Sequence, residues 1–344
     1  MRRAASTAVG ACLLLQLLAA VSATSSGAVV TLLGNVSLPF PMAGYQPLAG
    51  SLVVVANAVN NTVFLLDADS GSHLATTLLP STPVSMAVDV LAATFWVVPT
   101  AGAFLMHGGI RAGGHATKVP LPCSPTSVAL GTSLVFAACS GFVVALSATS
   151  GRVLSTMASP AISAPLVASV SDSQLVVAGL GLGGCMWSMD VSVSTSGSVS
   201  MVVSGTVQEC ENVEDLVMSP DGNHVAFING GGNCAATGLS ACDFNANNVS
   251  GVLGAWVTGD MPTAGSFSPD SSLVAIITST GEPTMQLFGT QRHNRVAYLG
   301  YQSFCSMYSD YRQVLFSTDG HRGNSSVVCG YEKYATHLFF FSVM

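Results

Sequence analysis

The chain has 344 residues, of which 10 are Lys or Arg and 17 are Asp or Glu, giving a formal net charge of −7. That acidic balance excludes nucleic acid as a partner, because phosphate binding needs a basic face. Only 8% of residues are charged, so the solvated surface must rest on Ser, Thr, Asn and Gly.

The chain opens with a basic Met1-Arg2-Arg3 and an apolar run from Ala8 to Ala20, broken only by Gln16. Val21-Ser22-Ala23 then places small residues where a signal peptidase reads. Residues 1–23 are therefore expected to be a secretory signal cleaved after Ala23. The apolar run is short of the ~20 residues that a membrane span requires, and no later stretch supplies one. Mean hydropathy is nevertheless +0.56. The apolar residues responsible are spread over short runs interrupted by Asp, Pro and Gly, as in sheets buried on both faces.

Val29-Val30-Thr31-Leu32-Leu33 is the first strand-like run. After it, Pro41, Pro83 and Pro125 stand 42 residues apart, each followed by a few small or apolar residues and then a β-rich burst. The bursts are Leu52-Val53-Val54-Val55, Phe95-Trp96-Val97-Val98 and Leu134-Val135-Phe136. The register continues from Pro165, Val213, Pro262 and Ser303, for seven starts in all. A period in the low forties made of short strands predicts a β-propeller. In the first unit the further strands are expected over 51–56, 62–67 and 73–79, and in the third over 134–138, 142–146 and 153–157. Asn60-Asn61, Ser140-Gly141 and Ser150-Gly151 supply the turns between them. The expected fold is all-β: one seven-bladed propeller of four-stranded antiparallel blades over residues 24–344. Pairing of the N-terminal strand with the C-terminal strands would close the ring and remove its exposed edges.

The segment Ala56–Gly71, followed by Val84-Ser85-Met86-Ala87-Val88-Asp89, resembles one repeat of the YVTN-type propellers, relatives of the quinoprotein amine dehydrogenase-like and WD-repeat families. Ser-Pro-Asp-Gly at 219–222 and Ser-Pro-Asp-Ser at 268–271 are similar to the turn those families place between a blade's first two strands. The resemblance implies the fold and leaves the activity open, because such propellers include enzymes, surface proteins and scaffolds.

Nine cysteines become eight once Cys12 leaves with the signal, and an even count in a secreted chain reads as disulfides. Cys123 and Cys139 stand symmetrically about Gly131 and should face each other. Cys185 and Cys210 straddle Gly197-Ser198 in the same way, Cys234 and Cys242 share one Gly/Asn-rich insertion, and Cys305 and Cys329 remain. Strand counting puts this last pair on first and third strands, which are not neighbours. No C-x-x-C is present to suggest a metal site, and none is assigned. Sequons at Asn35, Asn60, Asn248 and Asn324 offer glycosylation sites that would help solubility.

No nucleophile elbow and no metal-binding His spacing occurs. His107 and His115 flank a Gly-rich loop carrying Arg111, which could present cations to an anion or could be a long turn. Glu209, Glu211, Glu214 and Asp215 cluster where one blade passes to the next. Carboxylates converging there would suit Ca²⁺, but they show no fixed ligand spacing, and a solvated acidic loop accounts for them better. Trp96, Trp187 and Trp256 fall inside strand-like runs and read as core. The chain is thus expected to be a secreted, monomeric binding module for an extracellular protein or glycan, with no cofactor assigned. A lactonase-like hydrolase or quinoprotein-like oxidoreductase would need basic and acidic groups converging on the axial channel. A matrix protein using the disc as a spacer would instead expose an apolar patch on its rim.

Overall fold

A computed structural model describes residues 30–37, 42–48, 52–67, 70–159, 161–181, 184–207, 213–229, 240–259, 261–278, 284–299, 311–316, 325–331 and 337–343. The described residues form strands and turns, arranged in seven sheets. Sheet 1 holds β2 (Met42–Pro47), β3 (Leu52–Asn57), β4 (Thr62–Asp67) and β5 (Ser72–Leu78). Sheet 2 holds β6 (Pro83–Asp89), β7 (Thr94–Pro99), β8 (Phe104–Gly109) and β10 (Thr117–Pro120), while the two-residue β9 (Gly114–His115) crosses to sheet 1. Sheet 3 is β11 (Pro125–Leu130), β12 (Leu134–Cys139), β13 (Phe142–Ser147) and β14 (Val153–Ala158). Sheet 4 is β15 (Ala161–Ala168), β16 (Gln174–Gly181), β17 (Gly184–Val193) and β18 (Val199–Val207). Sheet 5 is β19 (Val213–Met218), β20 (His224–Asn229), β21 (Ser240–Asn245) and β22 (Val252–Val257). Sheet 6 is β23 (Pro262–Phe267), β24 (Leu273–Thr278), β25 (Thr284–Gly289) and β26 (Arg295–Leu299). Sheet 7 joins β27 (Tyr311–Phe316), β28 (Ser325–Tyr331) and β29 (His337–Val343) to β1 (Val30–Ser37) from the other end of the chain.

The first strands β2, β6, β11, β15, β19, β23 and β27 each touch the next, and β27 returns to touch β2. They form the inner wall of a ring, and the molecule is a β-propeller. β1 pairs antiparallel with β29, from Val30 opposite Val343 to Ser37 opposite His337. The two ends of the chain thus share one sheet, which closes the ring as the N-terminal run predicts.

From sheet 1 to sheet 6, adjacent sheets enclose an apolar layer between them. Trp96 and Val98 of sheet 2 meet Val135 and Ala137 of sheet 3, and Phe136 and Val143 of sheet 3 meet Val177 and Trp187 of sheet 4. Ala226 and Trp256 of sheet 5 meet Phe267 and Phe288 of sheet 6. The second strands of sheets 1 to 6 are therefore enclosed on both faces, and β12 is buried along its whole length. This accounts for apolar runs where one-sided burial would give alternation. All three tryptophans are core residues, none more than 2% exposed.

The prolines of the repeat also find their reason. Pro83, Pro125 and Pro262 begin innermost strands, and Pro165 lies within one. A proline cannot donate to a ladder, so it is tolerated on a strand whose second edge has no partner. Pro41 falls outside the described residues, one position before β2.

Four expectations need correction. Sheet 1 has five strands, because β9 adds in parallel to β5, with Thr77 opposite Gly114. The seventh inner strand begins at Tyr311, so Val314–Phe316, expected as a second strand after a start at Ser303, belongs to the first. Cys329 consequently lies on the second strand of its sheet, opposite Val314. The segment before β27 has no proline to fix its register, which is why the repeat was misread there. The fourth inner strand likewise starts at Ala161, four residues ahead of Pro165.

The repeat turns are built as the two Ser-Pro-Asp segments imply. Ser219 Oγ donates to Asp221 Oδ1 at 2.5 Å and accepts the His224 N–H at 2.9 Å. Ser268, Asp270 and Leu273 reproduce this at 2.6 and 3.0 Å. The fourth residue has positive φ in both turns, +71° at Gly222 and +59° at Ser271. Glycine meets that demand without strain. Ser271 is retained with its hydroxyl accepting the Asp221 N–H of the neighbouring sheet at 3.0 Å.

Candidate functional site at the mouth of the ring

The seven inner strands share one irregularity. Each has a register shift after its first paired residue, leaving Ala43, Val84, Thr126, Ile162, Glu214, Thr263 and Arg312 at the bulged position. A β-bulge bends its strand and re-aims the side chain it carries, and bulges concentrate at rims and beside binding sites. Here they fall at the end where every inner strand begins, giving one mouth of the ring a circle of seven variable positions. That circle holds an acid and a base, two threonines and three apolar residues.

Polar contacts stitch the inner wall together at this circle and just beyond it. Thr126 Oγ1 donates to Pro165 O at 2.6 Å, and Ser127 Oγ accepts the Val167 N–H at 3.3 Å. Asp215 Oδ2 accepts the Gly265 N–H at 3.1 Å, and Ser266 Oγ accepts the Phe316 N–H at 3.2 Å. Ser127 and Asp215 share a register position, the first paired residue after the bulge. A side chain there reaches a main-chain N–H that the next inner strand cannot pair within its own sheet.

Asp215 is the unusual member of this set, because a carboxylate occupies a place that serine fills elsewhere. Burial pushes its carboxyl up to about 6, against the opposing effect of the Gly265 and Leu216 N–H groups. The residue as a whole keeps some exposure while its carboxylate end is enclosed. A strongly shifted acid at the wall of a central opening marks a candidate functional position. Glu214, its neighbour, is exposed at the mouth. Glu209 and Glu211 lie outside the described residues.

Arg111 is placed elsewhere. It is exposed in the turn between β8 and β9, which is fixed to the outer strand of sheet 1 by Thr77 Oγ1 donating to Gly109 O at 2.8 Å and to Arg111 O at 3.2 Å. This loop clamps two sheets together at the rim. His107 stacks on Trp96 with ring centroids 4.2 Å apart, and burial pushes its imidazole down. His115 is exposed on β9, so the two histidines and the arginine form no common site.

A second polar cluster had no signal in the sequence. Asp243, wholly buried, faces His224 Nδ1 at 2.9 Å and His293 Nε2 at 2.8 Å through its Oδ2. His224 belongs to sheet 5 and His293 to the β25–β26 turn of sheet 6, so one carboxylate binds the two sheets. The Asp243 hydrogen bond raises the His224 imidazole, with burial opposing. Spacings of 19 and 50 residues fit no motif, and only the ring brings these three together. Among the described residues, no group of three His, Cys, Asp or Glu is placed to hold a metal.

Cys123 and Cys139 are joined by a disulfide, their Cα atoms 6.1 Å apart, as the symmetry about Gly131 predicts. Cys242 is also disulfide-bonded. Cys210, Cys234 and Cys305 fall outside the described residues, as do Asn324 and residues 1–23. Asn60 and Asn248 are exposed in turns, and Asn35 lies on β1. No described helix is long and apolar enough to cross a membrane.

No protein-family model matches this chain. No curated protein matches it either. Among solved structures, 1491 chains match, as expected for a widespread architecture. One is a chain of hydrazine synthase from Kuenenia stuttgartiensis, with a TM-score of 0.60 and 16% identity over 86% of this chain and 93% of that one. At that identity the likeness is one of fold.

Proposed function

We propose that this protein is a secreted, glycosylated propeller of the YVTN or quinoprotein amine dehydrogenase-like type, acting as an extracellular binding module. Its recognition surface is the mouth formed by the bulged residues of the inner strands. The observation that carries this reading is the contrast between frame and insert. In five of the sheets the position after the bulge is small or bonded to the wall, as Gly44, Ser85, Ser127, Asp215 and Ala264, while the bulged position changes in chemistry from sheet to sheet. Glu214 and Arg312 occupy it two sheets apart, with Thr263 between them. Such a mouth suits a polar partner, a protein loop or a glycan, held by hydrogen bonds and complementary charge. The Cys123–Cys139 disulfide fits an oxidising compartment.

An enzyme would need a convergent acid–base set. The inner strands carry Asp89, Glu214, Asp215 and Arg312 as their Asp, Glu, Lys or Arg residues. Asp89 lies at the far end of β6, and Asp215 is engaged by main-chain N–H groups. The test is a screen of the secreted protein against arrays of extracellular proteins and glycans, with Glu214→Gln and Arg312→Gln alongside. A partner whose affinity falls at least tenfold in either variant supports the reading. Turnover of lactones or a redox dye by the wild type, abolished in Asp215→Asn, overturns it in favour of the enzyme. Stabilisation by calcium that a chelator reverses would place the ion at the acidic cluster.

A further inference from the structure

Outer edges of a propeller are exposed strand edges, which invite pairing with another chain unless guarded. Several here carry an evident guard. Sheet 1 is covered by β9, sheet 2 ends in a four-residue strand with Lys118 and Pro120, and sheet 6 ends in a strand opened by Arg295. Sheets 4 and 5 carry no such guard, and neither does the six-residue β14 of sheet 3; sheets 4 and 5 stand out because their two unguarded edges are adjacent and one of them is long. β18 is nine residues long, Val-Ser-Met-Val-Val-Ser-Gly-Thr-Val, without charge or proline. On it Val202 is 61% exposed and Val203 38%; on β22, also uncharged, Val252, Leu253 and Val257 are each about half exposed. A long, uncharged, β-branched edge such as β18 is the usual starting point of edge-to-edge association, and the six-residue β22 beside it extends the apolar surface.

The sequon Asn248-Val249-Ser250 stands at this place. It lies in the β21–β22 turn of sheet 5, and its side chain packs against β18 of sheet 4. A Cβ added at Gly205 would come within 2.6 Å of Asn248 Oδ1 and 3.2 Å of the Val249 nitrogen, so glycine there admits the turn. Asn248 Oδ1 accepts from the Ser250 hydroxyl at 2.6 Å and the Ser250 N–H at 3.1 Å. The residue itself is exposed. A branched oligosaccharide on this amide would emerge at the seam between the two uncharged edges.

We infer that an N-linked glycan on Asn248 covers the outer edges of β18 and β22 and keeps the protein from pairing with a second copy of itself. The inference rests on the secretory reading and adds a specific role for one sequon. Asn60, exposed in the β3–β4 turn of sheet 1, is the internal control.

The test uses the full chain expressed in a glycosylating secretory host, with occupancy mapped by peptide mass spectrometry and self-association followed by light scattering across concentration. Wild type should carry sugar at Asn248 and stay monomeric. Asn248→Gln should still fold, by near-ultraviolet circular dichroism, and should self-associate at concentrations at least tenfold lower. Asn60→Gln should behave as wild type. Adding Val202→Lys to Asn248→Gln should restore the monomer, because a charge guards an edge without sugar. A monomeric Asn248→Gln at every concentration overturns the inference. So does sugar at Asn60 with none at Asn248 in a monomeric wild type. Absence of sugar at every sequon with the protein retained in the cell overturns the secretory reading, and this inference with it.

Discussion

Replacing Asp215 by Asn isolates what the buried carboxylate does to the inner wall. Asn keeps the shape, but its single oxygen can accept from only one of the Leu216 and Gly265 N–H groups, which Oδ1 and Oδ2 now take separately at 2.9 and 3.1 Å, so the change removes the charge and one hydrogen bond. In the unfolded chain the carboxyl titrates near its ordinary value of about 3.9. Enclosed between β19 and β23 it titrates at about 6. The folded state therefore binds the proton more tightly, and ionisation favours unfolding. The sign follows directly: this group favours the folded state fully below pH ~4, and that advantage is lost as pH rises from ~4 to ~6. A displacement of roughly two pH units corresponds to about 3 kcal/mol at neutral pH. The stability of Asp215→Asn relative to wild type should thus rise by about 3 kcal/mol between pH 4 and pH 7, from a deficit of about 1–2 kcal/mol at pH 4, where only the lost hydrogen bond counts, to a surplus of about 1–2 kcal/mol at pH 7. Urea unfolding of both proteins at four pH values between 4 and 7.5 measures the gap. A gap that stays constant across this range would refute the enclosure of the carboxylate. If the variant also loses affinity for a partner found on the arrays, wild type keeps a costly charge at its mouth for binding.

The remaining predictions concern the joints between sheets. Asp243→Asn should lower stability by about 3 kcal/mol, since a buried carboxylate holding two imidazoles loses its charge. The His224 imidazole is raised by this contact, so its part of the stabilisation is present below pH ~6.5 and fades as pH rises through the folded value. The gap between wild type and variant should accordingly be wider at pH 6 than at pH 9; a wider gap at pH 9 contradicts the assignment. Asp172→Ala removes bonds to the Ser133 and Leu134 N–H groups and the Ser133 hydroxyl, and should cost about 1–2 kcal/mol in urea unfolding. A neutral result would mean this surface link between sheets 3 and 4 is idle. Removing Cys123 and Cys139 together, as the double serine variant, opens a loop of 16 residues and should cost about 3 kcal/mol. Reducing agent should then leave a smaller shift in the variant's unfolding midpoint than in wild type.

The fold was legible because a propeller repeats a local code. Prolines at 83, 125 and 262 begin the inner strands, and the Ser-Pro-Asp turns recur between first and second strands. Each depends on neighbours a few residues away. Even the Cys123–Cys139 link was readable, because a hairpin sets its own register. Register failed where the local signals lapsed, ahead of Tyr311. The candidate site was only half legible. Glu214 and Asp215 stood out as acids, yet their adjacency in sequence concealed opposite circumstances, one exposed at the mouth and one enclosed in the wall.

What sequence by itself determined is the set of strands, their turns, the closing role of the N-terminal run and the acidic, lightly charged surface. All follow from period, turn chemistry and composition. The tertiary structure alone decided which residues meet across sheets: Asp243 between His224 and His293, Asp215 on the Gly265 N–H, Asn248 against Gly205. Apart from Asp243 and His224, which share sheet 5, these contacts join residues some 40 to 50 positions apart, about one sheet of the ring. They depend on how each sheet twists and packs against the next, and packing of that kind is set by the summed shape of many side chains, which no short motif encodes.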